Sequence, residues 1–206
     1  MQDSQYHFLL RLNNRMEFNN NSLLIFILII ILGFLFYQYR YYSSIETIVS
    51  KIDNRNYEVQ IKDDSQEAAN LIASVRQRLI LLVEHMYKNY PSNPKAIRLK
   101  RNFNPDVIKE GIDNPSYTSY TINKGEEIIL CLRTDNKLVD INVLTFVCIH
   151  ELSHIGNVTV GHDEPFWDFF KELLIEAINI GVYIKYDYKN KPIKYCGMMI
   201  TDSPLD

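Results

Sequence analysis

Apolar and polar positions divide this chain sharply. Leu23 to Tyr37 is continuous apolar sequence broken only by Gly33. Fifteen helical residues cover about 22 Å, short of the roughly 30 Å hydrocarbon layer. Extension through Tyr39, Tyr41 and Tyr42 reaches about 30 Å, and tyrosine favours the membrane interface. The pattern predicts one transmembrane helix over Ser22–Tyr42, preceded by a polar, Asn-rich tail over residues 1–21. A core helix this apolar would need protein on every side. A cleaved signal would need a small-residue site, and Tyr41-Tyr42-Ser43-Ser44 is a poor one.

Beyond the anchor the periodicity changes. Tyr57 to Ile61 alternates like a strand. Asp64-Ser65-Gln66-Glu67 reads as a capping box in which Asp replaces Ser or Thr. It opens a helix to about Lys88, with Ala68, Leu71, Ile72, Val75, Leu79, Leu82, Val83 and Met86 as its apolar face. Asn104-Pro105 and Asn114-Pro115 are turn signals. Tyr117 to Ile122 reads as a strand, Lys124-Gly125 as a turn, and Glu127 to Arg133 as a buried strand. Asp140 caps a helix that starts apolar at Val143. A further helix runs from Glu164 to about Gly181, with Pro165 in its first turn. Tyr183 to Ile200 is rich in β-formers. The order predicts a small α+β domain over residues 43–206.

With 206 residues and 47% hydrophobic content, the chain can bury one sizeable core. Its formal net charge of −3 excludes a nucleic-acid binder by charge, and no nucleic-acid-binding module is apparent. Lys95, Arg98, Lys100 and Arg101 read as a solvated loop or strand face. Three cysteines give no close pair. Cys131 and Cys148 lie in apolar runs and read as packed thiols, which points to a reducing compartment, cytosolic or virion-interior. Basic residues on the two sides of the anchor are too balanced to set its orientation.

The chemistry is concentrated at His150-Glu151-Leu152-Ser153-His154. On a helix, residues four apart share a face, so both imidazoles can hold one Zn2+ while Glu151 serves as general base. Gly156 follows, where a glycine can end a helix at positive φ. The chain can then return His162, so three of the five histidines fall within thirteen residues. Glu172 and Glu176 are rival third ligands. The apolar arc through Phe166, Phe170, Leu174 and Ala177 puts Glu172 on the opposite face and Glu176 near the edge, so both read as solvated charges.

The segment His150 through Trp167, HELSHIGNVTVGHDEPFW, resembles the active-site signature of the WLM and SprT-like zinc metallopeptidases. There the H-E-x-x-H is followed by a third His, a short polar step, then Phe and an aromatic. The domain also resembles small membrane-anchored zincin-like proteins of large DNA viruses. This resemblance implies His150, His154 and His162 as zinc ligands, Glu151 as catalytic base, and a minimal zincin fold. It also implies a polypeptide substrate lying along an edge strand, and the strand Glu127 to Arg133 is a candidate to pair with it. The expected protein is a membrane-anchored zinc metallopeptidase. The alternative is a non-catalytic anchored protein that keeps the fold as scaffold; a fourth protein ligand such as Cys148, Asp163 or Glu164 would favour it.

Overall fold

A computed structural model describes residues 20–112 and 118–206. The N-terminal tail, Asn114-Pro115 and Tyr117 lie outside the described residues. The chain divides into two compact units, Met1–Ser43 and Ser44–Asp206. In the first, α1 spans Asn20–Tyr42. Its stretch Ser22–Arg40 has a mean hydropathy of 2.4 and no buried share, so it is long and apolar enough to cross a bilayer.

The second unit is α+β. Its strands are short: β1 (Ile45–Val49), β2 (Asn56–Gln60), β3 (Ile108–Glu110), β4 (Tyr120–Ile122), β5 (Glu127–Leu130), β6 (Arg133–Thr134), β7 (Lys137–Leu138), β8 (Ile193–Tyr195) and β9 (Met198–Ile200). Its helices are α2 (Ser65–Asn89), α3 (Pro94–Asn102), α4 (Ile141–Gly156) and α5 (Glu164–Asn179). The largest sheet has the order β3-β5-β4, with β3 parallel and β4 antiparallel to β5. Hairpins β1-β2, β6-β7 and β8-β9 are separate two-stranded sheets.

Buried faces of α2, α4 and α5 meet in one core, which includes Ile72, Leu79, Ile149, Leu152, Phe170 and Leu174. The mixed burial of α4 follows from its sequence. Its first turns are apolar on nearly every side, and Cys148, Ile149 and Leu152 are fully buried. Removing one such side chain to Ala costs about 2–5 kcal/mol in cores of this kind. Asp140 caps α4, its Oδ1 accepting from the amides of Asn142 and Val143.

Several local expectations fail for identifiable reasons. Asp64 precedes α2 but makes no side-chain cap bond. Its carboxylate accepts instead from Arg133, at 3.0 Å from Nε and 2.5 Å from Nη2. Arg133 is 2% exposed in its side chain and also pairs with fully buried Glu110. A buried guanidinium left without carboxylates would cost more than a lost cap. The basic stretch at Lys95 is helix α3, neither loop nor strand, because Asn93 caps it and Pro94 starts it. Strand β5 is central, flanked by β3 and β4, so it has no free edge for a substrate. Cys131 is not a packed thiol. It forms a disulfide with Cys196, which leaves Cys148 as the free cysteine, buried in the core. The case for a reducing compartment therefore loses its basis.

Candidate metal centre

His150, Glu151 and His154 occupy the last two turns of α4, where Glu151 is buried and the imidazoles are partly buried. The helix ends at Gly156 with Asn157 as its C-cap at φ −79°. Gly156 does not supply a positive φ. A Cβ there would stand 2.2 Å from a ring carbon of Phe169, so glycine is needed to let α5 approach.

The loop from Asn157 to Asp163 brings the third histidine back. The Asn157 amide donates to Thr159 Oγ1 at 2.8 Å and to Asp163 Oδ1 at 3.0 Å. Thr159 donates to Asp163 Oδ2 at 2.5 Å, and Asp163 Oδ1 accepts from the Phe166 amide at the start of α5. The Thr159 hydroxyl is the main cause that holds the Asp163 carboxyl below its ordinary range. Asp163 is thus occupied as a cap and loop brace. Lys124 adds a second tie. Its Nζ donates to the carbonyl of His154 at 2.9 Å and of Thr159 at 2.6 Å, joining the helix end to the loop. Burial first, then neighbouring Arg98, pulls the Lys124 ammonium below its usual pKa.

This scaffold brings His150, His154 and His162 together. His150 Nε2 lies 3.2 Å from His154 Nε2 and 3.0 Å from His162 Nε2. Among the described residues these three form the group whose donor atoms converge, all within 4.8 Å of one another. An aromatic bed holds them: the centroid of His154 lies 4.4 Å from Phe166, that of His150 5.2 Å from Phe170, and that of His162 5.6 Å from Trp167. Burial, then the neighbouring imidazoles, pushes His150 down to about 3. Burial, then His162, then Lys124, pushes His154 to about 4. Both rings are therefore neutral near pH 7 and carry the free lone pair that a metal needs.

Glu151 faces a cavity of about 840 Å³ that is also lined by the three histidines, Tyr120 and Thr121. Burial pushes its carboxyl up to about 8, opposed by a hydrogen bond from the backbone of Thr121. Edge strand β4 therefore contacts the carboxylate directly.

Glu172 and Glu176 lie elsewhere, half-buried, and their carboxylates have side-chain partners. Glu176 pairs with His85 Nε2 at 2.6 Å and accepts from the Tyr90 hydroxyl at 2.8 Å, while Glu172 accepts from Asn93. Sequence reasoning overlooked Lys124 and Thr121. A lysine in a turn carries no pattern that reveals a carbonyl clamp. Thr121 acts through its backbone, which is independent of residue type.

The model of the WLM domain family matches residues 58–203. The chain is 31% identical over 169 residues to uncharacterized protein R325 of Acanthamoeba polyphaga mimivirus, covering 79% of this chain and 86% of that one. It is 30% identical over 145 residues to uncharacterized protein 136R of Invertebrate iridescent virus 6, covering 65% and 78%. Among solved structures it is similar to a Wss1 mutant from Saccharomyces cerevisiae (TM-score 0.48, 19% identity, 60% of this chain and 88% of that one). It is also similar to Wss1 from S. pombe (TM-score 0.31, 25% identity, 50% and 82%). With the family model matching most of its length, the chain belongs to the WLM domain family, a metallopeptidase-type family with viral relatives.

Proposed function

We propose that this protein is a membrane-anchored zinc metallopeptidase, with His150, His154 and His162 as ligands and Glu151 as general base. The observation that carries the reading is the convergence of three imidazoles beside the buried Glu151 carboxyl group in one cavity. The donor set fits the ion. Nitrogens bound tetrahedrally at about 2.0–2.1 Å stand roughly 3.3 Å apart, close to the 3.2 and 3.0 Å separations here. When bound, zinc supplies a Lewis acid that polarises a carbonyl and makes water acidic near neutral pH.

The chain's own residues do the rest. Glu151 accepts the proton of the attacking water and returns it to the leaving amine, so a single carboxylate serves both halves of the hydrolysis. Its burial makes it more basic than an exposed carboxylate, and the Thr121 amide keeps it oriented. Strand β4 lies at the sheet edge and lines the cavity, so an extended substrate lies along β4 rather than β5. Helix α1, whose stretch Ser22–Arg40 is long and apolar enough to cross a bilayer, ties this chemistry to a membrane.

The test uses the full chain in lipid nanodiscs, with zinc counted by atomic absorption and unfolded casein as substrate. One zinc per chain is expected. Cleavage should be abolished by a chelator and reduced at least about 10²-fold by Glu151→Gln. Stoichiometric zinc without cleavage of any polypeptide would replace this reading with a structural metal site.

A further inference from the structure

Hairpin β8-β9 is not hydrogen-bonded into the main sheet. A two-stranded hairpin alone is marginal in water. Its position beside the cavity rests on Tyr195 and Ile200, buried in the core, and on a few cross-links. Cys196, in its turn, is bonded to Cys131, directly after β5. The Tyr195 hydroxyl donates to the carbonyl of Cys131 at 2.8 Å and lies 2.6 Å from the Ser119 hydroxyl. Ser119 Oγ accepts from the Cys131 amide at 2.9 Å, and Thr134 Oγ1 accepts from the Cys196 amide at 2.9 Å. These bonds clip the hairpin to the end of β5 and to Ser119, the residue before β4. Strand β4 adjoins Glu151 through the Thr121 backbone.

The clipped hairpin forms part of the cavity lining through Met198, Met199 and Ile200. Met198 and Met199 are 48% and 49% exposed. Val160 and Trp167, 91% and 43% exposed, line the same cavity from α5 and the loop before it. Large apolar side chains left in contact with water around one cleft mark a surface that covers them on binding. Methionine is unbranched and polarizable, so it can mould to apolar side chains of different shape.

We propose that hairpin β8-β9 is the substrate-selecting wall of the cleft. Met198 and Met199 receive a bulky apolar side chain of the polypeptide, and the Cys131–Cys196 disulfide holds that wall in place. This rests on the metallopeptidase reading and adds selectivity to it. It also makes selectivity sensitive to reduction. A trialkylphosphine attacks one sulfur and cleaves the S–S bond. Phosphorus is oxidised and takes oxygen from water, while the two sulfurs gain two electrons and leave as thiols with two protons. Both cysteines are partly exposed, so a reductant can reach them.

The experiment measures binding, so it does not depend on turnover. Full-length Glu151→Gln protein, zinc-loaded in nanodiscs, is titrated with fluorescein-labelled Gly-Ser dodecapeptides that carry one Leu at successive positions. Fluorescence anisotropy gives Kd against the peptide without Leu. At one position Leu should tighten binding about tenfold or more, the range for burying a small apolar group in a fitted pocket. The double variant Met198→Ser, Met199→Ser should bring that preference within about twofold while zinc stoichiometry stays unchanged. Tris(carboxyethyl)phosphine, with two extra thiols confirmed by titration, should also weaken it, as should Cys131→Ser with Cys196→Ser. No Leu preference, or a preference unchanged in the Met variant, overturns the selecting wall. A preference that survives reduction overturns the role of the disulfide. Zinc-loaded protein with Glu151 intact that binds peptide with the Leu preference but never cleaves it sinks the peptidase reading alone.

Discussion

Lys124 shows how much of the site rests on one side chain outside the histidine motif. Its ammonium bridges two carbonyls, one at the end of the ligand helix and one in the ligand loop. With Lys124→Met, the loop should lose its tie to α4, and His162 its fixed distance from His150. Groups that orient ligands typically change metal affinity 10–100-fold when removed. Competition with a chelating dye should therefore show zinc held about 10–100-fold more weakly, with Lys124→Arg recovering part of the loss. Unchanged affinity would show that Asp163 alone fixes the loop. His150, Glu151 and His154 were legible as a set because helical periodicity places them without outside help. The partners of Lys124 were not, because they lie 30 and 35 residues along the chain.

Elements carry a different kind of information. Helix α4 with its Asp140 cap follows from its apolar run and its capping residue. The contact between α4 and α5 does not, since it depends on the absence of a Cβ at Gly156. Gly156→Ala should force the Phe169 ring out of its site. Overpacking of this kind costs about 1–3 kcal/mol, although alanine favours the helix itself. Urea unfolding of the metal-free protein should show that loss, and equal or greater stability would return Gly156 to the role of simple helix terminator. The strands reveal the same limit. Alternation located β2 and the apolar run located β5, but neither pattern says which strand is at an edge. That assignment moved the proposed substrate track from β5 to β4. Asp64 fits a cap by spacing, yet distant Arg133 claims its carboxylate.

At the scale of the whole molecule, Glu176 braces α2 against α5 through His85 and Tyr90. Burial opposes its ionisation, but the bonds from His85 and Tyr90 outweigh that and hold its carboxyl below the ordinary range. A depressed carboxyl contributes stability above its unfolded pKa and loses it as pH falls through the folded value. Metal-free wild type should thus lose stability faster below about pH 4.5 than Glu176→Gln, which has nothing there to protonate. Thermal melts from pH 7 to pH 3 compare the two slopes. Parallel slopes would remove Glu176 from the acid response. The disulfide belongs to this scale too. Cys131 and Cys196 are 65 residues apart, and only the folded chain puts them in contact.

The sequence by itself determined what is local. These are the apolar span of α1, the amphipathic α2 and α5, the N-cap of α4, and a histidine pair with its carboxyl group on one helix. Each depends on residues within a few turns of one another, so periodicity and capping chemistry suffice. Only the tertiary structure decided how His162 returns to the pair, which strand flanks Glu151, why residue 156 is glycine, and that Cys131 meets Cys196 at the wall of the cleft. Those outcomes depend on which distant surfaces pack together, and that is set by core shape and buried charge pairing rather than by any local pattern.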